Sequence, residues 1–72
     1  MIGRRRVEWV YASGSQWNIC DSHTQNEIER LWYNDTNGWI KSIIFGDFVY
    51  VDTTELSLTH GSYSYTIARR CY

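Results

Sequence analysis

Trp9, Trp17 and Glu29 are the residues of this chain whose types and spacing bear most directly on chemistry. The two tryptophans lie eight residues apart on what read as neighbouring strands, and the carboxylate flanks the apolar stripe of a short helix. Bulky, partly polar aromatics and a carboxylate in such places build either a special core or the wall of a ligand site. Bond-breaking chemistry has no comparable foothold: no nucleophile stands beside a base, no glycine-rich phosphate loop occurs, and the carboxylates are scattered. His23 and His60 are far apart and neither cysteine has a paired spacing, so no metal set and no cofactor is read. The expectation is a non-enzyme that works by recognition.

The elements that must position these residues are legible from periodicity. Val7, Trp9 and Tyr11 alternate with Glu8, Val10 and Ala12, and Ser13-Gly14-Ser15 turns the chain into a second strand, Trp17 to Cys20. Asp21 to Thr24 is a polar stop, and both Ser22-x-x-Gln25 and Thr24-x-x-Glu27 fit a capping box at a helix start. From Gln25 to about Tyr33, Ile28, Leu31 and Trp32 share one face. Asn34 to Gly38 is a loop, with Gly38 placed to close the helix or turn the chain. A hairpin of Ile40 to Phe45 and Phe48 to Asp52 about Gly46-Asp47 follows, then strands Glu55 to Thr59 and Tyr63 to Arg69 about His60-Gly61-Ser62. About six short strands and one helix make an α+β fold, a strongly curled sheet packed on a single helix.

Size and charge bound the rest. At 72 residues the chain has room for one domain, and a chain so small buries only about 60% of its unfolded surface, so large aromatics are an efficient core. Residues 1–6 read as a basic extension and 7–72 as the domain. A net charge of −1 conceals arginines at both ends, Arg4 to Arg6 and Arg69-Arg70. If the first and last strands are neighbours, these gather at one edge and favour an anionic partner. Cys20 and Cys71 read as reduced thiols of an intracellular protein. No apolar run approaches the roughly 18 residues a membrane span needs.

The order of elements and the phrases Glu8-Trp9-Val10-Tyr11, Gln16-Trp17-Asn18-Ile19 and Glu27-Ile28-Glu29-Arg30-Leu31-Trp32 together resemble a WWE domain, named for two tryptophans and a glutamate. Phe48-Val49-Tyr50-Val51-Asp52 and Ile67-Ala68-Arg69-Arg70 are similar to the family's later strands, so the resemblance spans about Val7 to Arg70. It implies a half-barrel sheet on one helix, an accessory module of ADP-ribosyltransferases and ubiquitin ligases. It also implies a pocket at one end of the barrel for ADP-ribose or the iso-ADP-ribose unit of poly(ADP-ribose). In such a pocket an aromatic wall stacks on adenine, worth about 1–3 kcal/mol per contact, and a cation binds phosphate.

Carried over by position, the resemblance assigns ligand contacts to Tyr11, Trp17, Tyr50, His60, Tyr65 and Arg69, and the structural signature to Trp9, Trp17 and Glu29. Several positions depart from the family. Val10 stands where an aromatic is expected, leaving Tyr11 beside it. Tyr50 matches the mid-sheet tyrosine on direct alignment, whereas alignment back from Asp52 puts Val49 there. Leu58 replaces an amide, with Thr59 and His60 the nearest polar groups, and Tyr65 replaces an arginine that would grip phosphate.

Each residue also has a plainer role. Trp9 reads as a core plug, Trp17 equally as a core edge, and Glu29 as a carboxylate bonded to backbone or a hydroxyl at the helix–sheet junction. Tyr50 and Tyr65 read as core rings with wet hydroxyls, His60 as a turn residue, and Arg69 and Arg70 as solvated. Three functions follow: an ADP-ribose reader, a degenerate WWE domain serving as a protein-interaction scaffold, and, third, a single-stranded RNA binder. The scaffold reading predicts that Val10, Leu58 and Tyr65 fill the pocket. The reader predicts that Trp17, Tyr50 and Tyr65 line one open cavity.

Overall fold

The computed structural model describes residues 6–72, so Arg4 and Arg5 lie outside the described residues. Its elements run β1 (Val7–Ser13), β2 (Gln16–Ile19), α1 (Ser22–Tyr33), β3 (Gly38–Ser42), β4 (Asp47–Asp52), β5 (Ser57–His60) and β6 (Tyr63–Cys71). They form an α+β domain: one antiparallel sheet of six strands in the order β2-β1-β6-β5-β4-β3, with α1 packed on β1 and β3. First and last strands are indeed neighbours, paired from Val7↔Cys71 to Tyr11↔Ile67. Backbone bonds between Arg6 and Tyr72 extend that pairing by one residue.

The registers put Trp9, Tyr11, Ile40, Val49, Val51, Leu58, Tyr65, Ile67 and Arg69 on one face. That face and the α1 residues Ile28 and Leu31 make the core, with Trp9, Ile28, Val49, Val51 and Leu58 fully buried. Val10 points the other way and is buried as well, flanked by Ile19 and Ala68. Trp9 thus serves as the core plug its alternation suggests.

Element limits differ from the sequence reading for local reasons. The helix starts at Ser22, and its cap is Asp21, whose carboxylate accepts from the Thr24 amide (3.0 Å) and the Thr24 hydroxyl (2.6 Å). Neither expected capping box forms, because the residue before both already satisfies the helix start. The helix ends at Tyr33 and is capped by Asn34, followed by Asp35 at φ +56°, and Gly38 opens β3 instead of closing the helix. Strand β3 stops at Ser42, short of the expected Phe45. The Ile44 amide is taken by Asp21 (3.0 Å) and the Phe45 amide by the Ser42 hydroxyl (3.4 Å), so these residues turn away from the ladder. Strand β5 starts at Ser57 because Asp52 accepts from the amides of Thr54 and Glu55 and folds that segment into a turn. His60 is the last residue of β5, paired with Tyr63, and not part of the turn.

Candidate functional site

Two side-chain clusters and one surface account for the residues singled out by sequence. The first joins helix to sheet. Glu29 Oε1 accepts the Trp9 indole N–H at 2.8 Å and the Arg69 Nε–H at 2.9 Å, while Oε2 accepts from Arg69 Nη2 at 2.7 Å. The Arg69 guanidinium lies 4.1 Å over the Trp32 ring, which meets Trp9 edge-on at 6.3 Å. The guanidinium holds the Glu29 carboxyl below its ordinary range against the opposing effect of burial, with the indole adding to the guanidinium's effect; the carboxylate in turn raises Arg69. At the helix–sheet junction Glu29 bonds an indole and a guanidinium, where backbone or a hydroxyl was expected. The cost of its partial burial is offset by a bidentate pair. Arg69, read both as a ligand contact and as a solvated residue, is spent on this pair.

The second cluster sits at the other end of the same face. The Phe45 ring, from the β3–β4 turn, lies 5.1 Å from Tyr11, 5.3 Å from Tyr65 and 5.4 Å from His60. Tyr11 and Tyr65 also meet edge-on at 5.7 Å, and His60 Nε2 lies 3.5 Å from Asp47. Burial raises the Tyr11 hydroxyl's pKa, with Cys20 and Tyr65 adding to it. Three of the six expected ligand residues are thus brought together, with Phe45 between them. Phe45 was missed by sequence because an aromatic inside a predicted strand gives no sign that the strand ends early.

The remaining ligand candidates are elsewhere. Trp17 pairs with Ala12 and is half exposed on the face opposite Tyr11 and Tyr65. Tyr50 shares that opposite face and meets Trp39 edge-on at 5.3 Å. Trp17, Tyr50 and Tyr65 therefore do not line one cavity, and the alternation of β1, β2 and β4 is the reason. Leu58 is fully buried in the core, Val10 is buried on the opposite face, and Tyr65 is half-buried against Tyr11 and Phe45. A cavity of about 120 Å³ lies away from the aromatic cluster, lined by Val7, Trp9, Gln25, Asn26 and Glu29. Its polar groups are largely engaged, Gln25 bridging the Trp9 amide (3.0 Å) and the Cys20 carbonyl (2.7 Å).

Sequence reading also missed a fully buried polar contact, Thr24 Oγ1 to Ser42 Oγ at 2.9 Å, which ties α1 to β3. Where β1 pairs with β6, inside the sheet and not at its edge, Glu8 lies 3.7 Å from Arg6 and 3.8 Å from Arg70, so these arginines face a carboxylate. Among the described residues no group of three or more His, Cys, Asp or Glu could hold a metal, and no helix is long and apolar enough to cross a membrane. No protein-family model, curated protein or solved structure matches the chain.

Proposed function

We propose that the chain is a non-catalytic interaction module of WWE-like architecture whose ligand end is closed, so that it binds protein in preference to ADP-ribose. The observation that carries this reading is Phe45, whose ring occupies the space among Tyr11, Tyr65 and His60 where a flat ligand would stack. Arg69, which the register puts on the core face, has both its carboxylate partner and an aromatic cover. The strongly curled half-barrel belongs to the same proposal. It is supported by one helix touching both β1 and β3, strands four places apart in the sheet, and by contact of Tyr11 on β1 with Phe45 beyond β3. An intracellular setting accompanies it.

The test is a titration with ADP-ribose and with iso-ADP-ribose, followed by amide shifts of Tyr11, Tyr65 and His60. The expected result is no saturable change up to millimolar ligand. Saturable shifts at those residues in the unaltered chain would instead establish the second reading, an ADP-ribose or poly(ADP-ribose) reader, which the convergence of Tyr11, Tyr65 and His60 favours. On that second reading Phe45→Ala removes the plug and tightens binding; on the first it leaves a void with no ligand to fill it.

A further inference from the structure

The β3–β4 hairpin carries a cluster of exposed aromatic side chains. On the face away from the core, register places Trp39 beside Tyr50 and Lys41 beside Phe48. Trp39 is 66% exposed and Phe48 56%, and the adjoining turn adds exposed Ile43 and Ile44. Contiguous apolar surface of this kind marks an interaction site. Strand β3 is also an outer strand of the sheet, and among the described residues β4 is its only strand partner, so one row of its backbone groups has no strand partner there.

We infer that this edge takes a second copy of the same chain, β3 pairing antiparallel with β3 about Ile40. This deepens the protein-binding reading by naming its surface and its partner. The argument is the self-complementarity of the five residues Gly38–Ser42. With Ile40 opposite Ile40 of the second copy, the two-fold places each Trp39 directly against the other copy's Lys41 on the exposed face. Opposed side chains in such a pair have Cβ atoms about 4.5–5.5 Å apart, within the range of a cation–π contact. Lys41 already stands 5.8 Å from the Phe48 ring centroid. Pairing therefore builds two rows, Tyr50–Trp39–Lys41–Phe48, each crossing from one copy to the other and each holding an ammonium between two rings. An edge lysine ordinarily discourages strand addition. Here the two-fold sets it against an aromatic and not against another lysine, and Lys41 is the only lysine of the chain.

The test is the molar mass of the full chain by sedimentation equilibrium across a concentration series. The unaltered chain is expected to dimerise. Trp39→Lys and Lys41→Trp alone each break the complementary pairs and should weaken the dimer about tenfold or more, since two equivalent contacts go at once. The double variant carrying both substitutions restores a cation opposite an aromatic in each row and should recover the dimer. Ile19→Lys, on the outer strand at the other end of the sheet, should leave it intact. Near-UV circular dichroism checks that every variant is folded. A monomer at all concentrations overturns the inference while leaving the scaffold reading standing. A dimer lost in the Ile19 variant, or not recovered in the double variant, overturns the β3 pairing.

Discussion

Glu29 concentrates three hydrogen bonds on one carboxylate, whose charge matches the guanidinium and whose oxygen also accepts from the indole. Because its folded pKa is lowered, chiefly by Arg69, the stability it contributes is fully present above the ordinary glutamate value of about 4.3. That contribution is lost as pH falls through the depressed folded value. Glu29→Gln can still accept from Trp9 but turns an amide toward Arg69. It should cost about 1–2 kcal/mol at neutral pH, a charge-assisted bond discounted for solvent access. Urea unfolding from pH 7 down to about pH 3 should show a weaker acid dependence in the variant than in the parent. Identical acid slopes would remove Glu29 from this role. Glu29 stood out in the sequence as a carboxylate beside the helix's apolar stripe, whereas its partners did not, since Arg69 lies forty residues away and meets it through the β1–β6 pairing.

At the scale of elements, the strand pattern and the helix face were readable because alternation and the i, i+3, i+4 stripe report burial directly. Boundaries were less readable because they depend on which side chain captures which amide. Asp21 decides two of them at once, capping α1 through Thr24 and holding the Ile44 amide out of β3. Burial works to raise the Asp21 pKa, but the bonds from Thr24 and Ile44 outweigh it and bring it down. Asp21→Ala should therefore destabilise the fold by about 1–2 kcal/mol, the upper part of the range for helix caps. Ser22→Ala, at one of the two residues the sequence offered as a cap, should stay within about 0.5 kcal/mol. Denaturant midpoints at neutral pH measure both, and a reversed order would assign the cap to Ser22. Trp17 shows the complementary limit: its strand was readable, but its face was not, because a two-residue turn at Gly14-Ser15 fixes the register that sends it outward.

For the whole molecule, the two thiols supply reporters of different events. Cys20 is buried in the core cluster and burial pushes its pKa up to about 12, with Asp21 adding to the rise, while Cys71 is exposed on the last strand. The thiolate is the species that attacks a disulfide reagent, so Cys20 in the folded chain is doubly protected, by access and by protonation. A chromogenic thiol reagent at neutral pH should label Cys71 at once and Cys20 only through opening of the core. Since Cys20 donates its backbone N–H to the Trp9 carbonyl of β1 (3.0 Å) and its own carbonyl accepts from the Gln25 side chain of α1, that opening requires separating helix from sheet. Its labelling rate should then follow the equilibrium population of the opened form. Asp21→Ala and Glu29→Gln, each costing one to two kcal/mol, should speed Cys20 labelling by roughly 5–30-fold and leave Cys71 unchanged. Acceleration matching the loss of stability measured by urea would make the domain one cooperative unit. Fast labelling of Cys20 in the parent would show that α1 detaches independently of the sheet, and that the Trp9–Glu29–Arg69 cluster does not join the two.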